Sequence, residues 1–170
     1  MIIRPARRED LPSIQAVLKA ARGIMRSSGN LHQWTDEYPS ETVVLQDIVS
    51  GVGYVVLYEG LVAGYFAMLP SPDPTYARID GGEWLDDKLP YHVIHRIGSL
   101  PEVHGVFAAI MDYAFSVDRN IRIDTHRDNR IMQHLLDRHG FSYCGIIYLL
   151  SGDERLAYQR LTRQKCIDNQ

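Results

Sequence analysis

Cysteine is scarce in this 170-residue chain: there are two, Cys144 and Cys166, 22 positions apart and without a CxxC pair. That spacing builds neither a disulfide framework nor a thiolate zinc site, and it suits a reducing compartment. The opening MIIRPARRED also lacks the apolar stretch of a secretory signal, so a cytoplasmic location is expected. Basic charge is not in excess either. Lys and Arg number 18 against 21 Asp and Glu, a net charge of −3, with seven against ten in the first 85 residues and balance thereafter. No basic half exists to grip a polyanion, so a nucleic-acid partner is not expected. The longest weakly charged run, Gly51 to Leu69, has Glu59 as its single charge. Glu59-Gly60 divides it into GYVVLY and LVAGYFAML, and Gly53 and Gly64 weaken a helix, so it reads as a β-hairpin and no membrane span is expected. Several site motifs are missing as well: GxGxxG after the first strand, GxxxxGK[ST], HExxH and GxSxG. The seven histidines are scattered, with His134 and His139 five apart rather than four, and no metal is expected.

What is present is an ordinary globular composition, 45% apolar and 23% charged, in a length that fits one domain. Residues 1–162 are read as that domain and 163–170 as a polar tail. IIR reads as a strand, followed by a helix capped by Asp10 with Pro12 in its first turn and Ile14, Val17, Leu18, Ala21 and Ile24 at helical spacing. LHQWTDEYPS is irregular, and Ser40 caps a second helix through Val44, Leu45 and Ile48. The hairpin of residues 54–69 and a proline- and glycine-rich loop to Pro90 come next. YHVIHRIGS is then a strand with Val93, His95, Ile97 and Ser99 on one face and His92, Ile94, Arg96 and Gly98 on the other. Val106, Phe107, Ile110, Met111, Ala114 and Phe115 mark a buried helix stripe, and IRIDT a strand. Asp128 is the expected cap of a last helix, which Gly140-Phe141 closes. The strands YCGIIYLL and RLAYQRL follow, joined by SGDE. Hairpins at both ends and a strand-helix-strand crossover between them predict an α+β (mixed α/β) fold, a mixed central sheet with helices on both faces.

The strand ending at Ser99, the turn with Gly105 and the helix after it direct free backbone amides at a strand terminus, a geometry suited to phosphate but common to many strand-to-helix turns. The start IIRPARREDLPSI, the block HRIGSLPEVHGVFAAIMDYAF and above all IRIDTHRDNRIMQHLLDRHGFSYCGIIYL resemble the GCN5-related N-acetyltransferases (GNAT), in an uncharacterised bacterial branch. The resemblance spans roughly residues 2 to 161 and is carried chiefly by DTHRDN, HGF and CGIIYL.

It implies acetyl-CoA as donor and a small-molecule or peptide amine as acceptor, with a homodimer left open. The family's phosphate loop falls on His104, Gly105, Val106, Phe107, Ala108 and Ala109, whose amides would wrap the pyrophosphate. Ile97, Gly98 and Ser99 would pair with the pantetheine arm as an added strand, and Asn129 matches a position that bonds the same arm. His104 replaces the usual Gln or Arg, and Phe107 replaces a glycine: either its ring belongs to the buried helix stripe and faces away from the phosphates, or donor binding is impaired. His95 is the preferred base, acting directly or through water, with Asp124 and His126 as second candidates. The family's acidic tyrosine falls on Leu136, so Tyr143 or Tyr148 would substitute, or water. Trp34, Tyr38 and Tyr76 are the aromatic candidates for a cationic amine. The rival expectation is a non-enzymatic acyl-CoA-binding or sensor protein with a degenerate site.

Overall fold

A computed structural model describes residues 1–163; Cys166 and nearly all of the predicted polar tail lie outside the described residues. Seven strands, β1 (Ile2–Pro5), β2 (Gly53–Tyr58), β3 (Leu61–Pro70), β4 (His92–Ser99), β5 (Asn120–Thr125), β6 (Ser142–Tyr148) and β7 (Glu154–Leu161), form one sheet in the order β1-β2-β3-β4-β5-β7-β6. Every neighbouring pair is antiparallel except β4 and β5, which are joined by the crossover helix α3 (Val106–Val117) and run parallel. Helices α1 (Leu11–Ser27) and α2 (Glu41–Val49) precede β2, and α4 (Arg130–Arg138) links β5 to β6. The expected mixed sheet is therefore the observed one. No helix is long and apolar enough to cross a membrane among the described residues.

Period-two alternation gives the sheet two differently covered faces. On one, Phe66, Ile94, Ile121, Ile123 and Tyr158 pack under Val106, Phe107, Ile110 and Met111 of α3 and Leu136 of α4. On the other, Val55 and Tyr65 pack against Ile14, Val17 and Leu18 of α1, each of these three contributing roughly 1.5–3 kcal/mol by burial. Farther along this second face Val93, Ala157 and Ile147 are covered by Tyr76 and Trp84, from the long connection between β3 and β4.

Two caps differ from expectation. Asp10 ends a short 3₁₀ turn and makes no cap bond to α1; its carboxylate is taken by the Arg4 guanidinium at 2.7 and 2.8 Å and by the Arg7 amide at 2.8 Å. A guanidinium fork outbids a helix end for a carboxylate. Asn129, not Asp128, caps α4, its Oδ1 accepting from the Met132 amide at 3.0 Å. Ser40 caps α2 as expected, accepting from the Val43 amide.

Candidate functional site

The site originates in two irregularities of β4. Its pairing with β5 is confined to His92 with Ile121 and Val93 with Arg122, so beyond Val93 the strands splay apart. On its other side, Tyr65 of β3 pairs with Gly98 and Ala67 with His95, leaving Phe66 alone opposite Arg96 and Ile97. This is a β-bulge, with Arg96 at φ 57°. The extra residue turns His95 and Arg96 toward the same side of the sheet and reverses the alternation after it. Gly98 therefore faces α1, where a Cβ would stand 3.3 Å from Ala21 and Leu18. The predicted strict alternation along this strand holds only as far as His95.

Where β4 and β5 part, a cavity of about 500 Å³ opens on the face that carries α1. His95 lies in its wall, flanked by two carboxylates: Nε2 is 3.0 Å from Asp73 Oδ2 and Nδ1 is 3.7 Å from Asp124 Oδ2. Asp73 is held by the Thr75 amide at 2.9 Å and hydroxyl at 2.7 Å. Burial alone would raise its pKa, but the bonds from His95 and Thr75 pull it down to about 2. Asp124 accepts the Tyr76 hydroxyl at 2.7 Å. Tyr76 is fully buried, and burial together with the Asp124 charge pushes its pKa well above the ordinary phenol, which keeps it a donor. Asp73 was not singled out in the sequence; the signal available was the S-P-D-P-T turn, in which an Asp bonds its own backbone two residues on.

The segment between α1 and α2 forms the opposite wall. Gln33 Oε1 accepts from Asn129 Nδ2 at 2.9 Å and Asn30 Nδ2 at 3.0 Å, with the Thr125 hydroxyl and His126 amide at 3.3 Å. Trp34 is buried against α1 yet lines the cavity, and half-exposed Tyr38 accepts from Arg96 Nη1 at 3.3 Å. Arg96 is clamped by Asp47 at 2.8 and 2.6 Å; burial would lower its pKa, but Asp47 and Tyr38 raise it. A second guanidinium, Arg155 of β7, also lines the cavity.

A smaller groove of about 150 Å³ adjoins the first, bounded by Ala21 and Met25 of α1, Ile97 to Ser99 of β4, Val106 and Phe107 of α3 and Met132 of α4. Gly105, at φ 82°, turns the chain into α3, whose first intrahelical bond is Ala109 N–H to Gly105 O at 3.0 Å. The amides of Val106, Phe107 and Ala108 are thus free at the helix end. The Phe107 ring packs in the buried helix stripe, edge-on to His139 at 4.9 Å between centroids. An unpaired β4 edge, a glycine floor and free amides in line fit an elongated, amide-rich ligand ending in phosphate. His104 is exposed beside this turn and Ala109 lies within α3.

Other candidates stand elsewhere. Tyr143 pairs with Tyr158 on the α3/α4 face, 52% exposed, so the sheet separates it from His95. It is not available as an acid in the cavity, because alternation along β6 points it the wrong way. Tyr148 hydrogen-bonds Asp80 outside the cavity lining. His126 lies outside the cavity lining, its Nδ1 accepting from the Asp128 amide at 3.1 Å; burial and then the Arg155 charge lower its pKa. Asn129 borders both cavity and groove, but its side chain is occupied by the α4 cap and Gln33. Tyr76 stands behind Asp124 rather than on the cavity wall, and Leu136 is fully buried. Among the described residues no group of three His, Cys, Asp or Glu side chains is arranged to hold a metal ion.

No family model matches the sequence, and no curated protein matches it. Solved structures do. A GNAT-family acetyltransferase from Streptococcus agalactiae is 30% identical, with 96% of each chain covered and a TM-score of 0.87. A GNAT-family acetyltransferase from Listeria monocytogenes is 19% identical over 95% of this chain and 94% of its own, at a TM-score of 0.69. The GNAT-like decarboxylase GphF, solved with isobutyryl-CoA, is 16% identical over 96% of this chain and 100% of its own, at a TM-score of 0.61; it and the Listeria protein share the fold.

Proposed function

Because the chain belongs to the GNAT family of acetyltransferases, we propose that it transfers acetyl from acetyl-CoA directly to a primary amine of a small molecule or peptide, with residues 1–162 working as one catalytic domain. The observation that carries this reading is the imidazole of His95, oriented by two aspartates in a cavity that opens beside an unpaired strand edge. Acetyl-CoA, when bound, supplies the activated acyl thioester. Ile97, Gly98 and Ser99 would hold its amide-rich arm, and the amides of Val106, Phe107 and Ala108 its pyrophosphate, favoured by the α3 dipole.

The acceptor arrives as an ammonium and must lose a proton before it can attack. Asp73, held ionised, accepts from Nε2 of His95, which puts the imidazole proton on that nitrogen and leaves the Nδ1 lone pair facing Asp124. Asp124 attracts the ammonium and Nδ1 takes its proton, while the Tyr76 hydroxyl fixes the Asp124 carboxylate. Tyr38 is the one phenol lining the cavity among the described residues. Accepting from Arg96 leaves its own proton free for the departing thiolate. A purely acyl-CoA-binding role is not favoured, since it leaves the arrangement around His95 without a task.

Thiol release from acetyl-CoA across a panel of amines tests the reading. His95→Gln should lower kcat by about 10²–10⁴-fold while calorimetric acetyl-CoA affinity is kept. Donor binding without turnover on any amine, or an unchanged rate in His95→Gln, would overturn it.

A further inference from the structure

We propose that the acceptor carries a carboxylate as well as an amine, and that Arg155 is the residue that binds the carboxylate. The inference rests on the transferase reading above and narrows its substrate class.

Arg155 is the second residue of β7, is 6% exposed and lines the large cavity. Among the described residues its guanidinium makes one hydrogen bond, from Nη1 to the adjacent Glu154 carbonyl at 2.9 Å, and no carboxylate oxygen lies within 4.0 Å of it. The other guanidinium of the cavity, Arg96, is neutralised by Asp47. A buried cation without a counter-ion is costly, and burial accordingly lowers the Arg155 pKa, with Asp124 and Asp153 opposing from a distance. The remaining N–H donors form a planar fork suited to a carboxylate.

The position of this charge fits one small molecule. β5–β7 register sets Asp124 opposite Ala157, and Arg155, two residues before Ala157, shares its face. Diagonal neighbours of this kind are about 7–8 Å apart. An amine at Asp124 and His95 and an anion at Arg155 therefore match the ends of an amino acid. One free guanidinium offsets one negative charge, and Asp73, Asp124 and Asp153 around the same cavity oppose a dianion such as phosphate. A plain diamine would bring its second cation against Arg155.

The experiment pairs amino acids with the amines lacking only the carboxylate: phenylalanine with phenethylamine, ornithine with putrescine, lysine with cadaverine. Thiol release gives kcat/KM for each, and calorimetry with CoA present gives affinity. The best carboxylated acceptor should exceed its amine by about 10–100-fold, chiefly in KM. Arg155→Gln should collapse that ratio toward one and Arg155→Lys should partly restore it, which a merely structural loss would not do. Amines acetylated as well as amino acids would overturn the proposal and leave the transferase reading standing. If nothing is acetylated, that reading falls, and amino acids binding no more tightly than their amines would overturn the proposal separately. The wild-type comparison holds even if the variants fold poorly.

Discussion

The connections from Ser28 to Ser40 and from Ser71 to Tyr91 are alike in sequence, both irregular and studded with aromatic and acidic residues, but they are built on different principles. The second is a small core of its own. Tyr76 stacks on Trp84 at 5.3 Å and on Tyr91 at 6.2 Å, and the fully buried Arg122 lies against the rings of Trp84 and Tyr91 at 3.9 and 3.8 Å. Gln159 accepts the Leu85 amide at 2.7 Å and donates to the Asp86 carbonyl at 3.1 Å, while Asp80 and Ile146 exchange backbone bonds. The first connection is a strap, pinned by Trp34 and by the Gln33 oxygen, with Leu31 56% exposed and Tyr38 at the cavity. A wall packed this way positions Asp73 and Tyr76 rigidly; a strap is the part free to differ with the acceptor.

Three substitutions break or sharpen that contrast. Trp84→Ala should cost about 3–5 kcal/mol of global stability by urea unfolding, since it empties a buried ring site and strips Arg122 of one aromatic face. Gln33→Ala should cost less, about 1–3 kcal/mol, by leaving Asn30 and Asn129 without their acceptor, and it should raise the acceptor KM more than it lowers kcat. Were Gln33→Ala as destabilising as Trp84→Ala with KM unmoved, wall and strap would not differ. The smallest effect is one of pH. Asp73 is held at about 2 in the folded protein against an ordinary 3.8, so the stability it contributes is complete above about pH 4 and is lost as pH falls toward 2. The stability difference between wild type and Asp73→Asn should therefore be flat from pH 5 upward and shrink on acidification, as chemical unfolding at each pH will read.

Much of the scaffold was legible because it depends on local patterns. The Glu59-Gly60 turn between two β-rich runs appears at its expected place, and the α3 stripe of Val106, Phe107, Ile110, Met111 and Ala114 is the buried one. His95 was a candidate from its place on the strand leading to the α3 turn, and Asp124 from its place near a strand end. What stayed hidden depends on partners far apart in the chain. Nothing near Gln33 announces that its oxygen will gather donors from residues 125 to 129, and Asp73 acquires its role only when the wall brings it to His95. Tyr76 read as an aromatic candidate for a cationic amine, and its burial against Trp84 and Tyr91 is tertiary. Arg155, first in the expected strand RLAYQRL, was not singled out, because its burial at the cavity is tertiary.

The bulge at Arg96 has one more consequence, which concerns counting. On the proposed reading the chain from His95 to Gly105 spans the distance from an acceptor's amine to a donor's phosphates, and the surplus residue is part of that span. It acts as a frame setting: were the same residues paired without the bulge, alternation would run on unbroken, and Ile97 rather than Gly98 would meet α1.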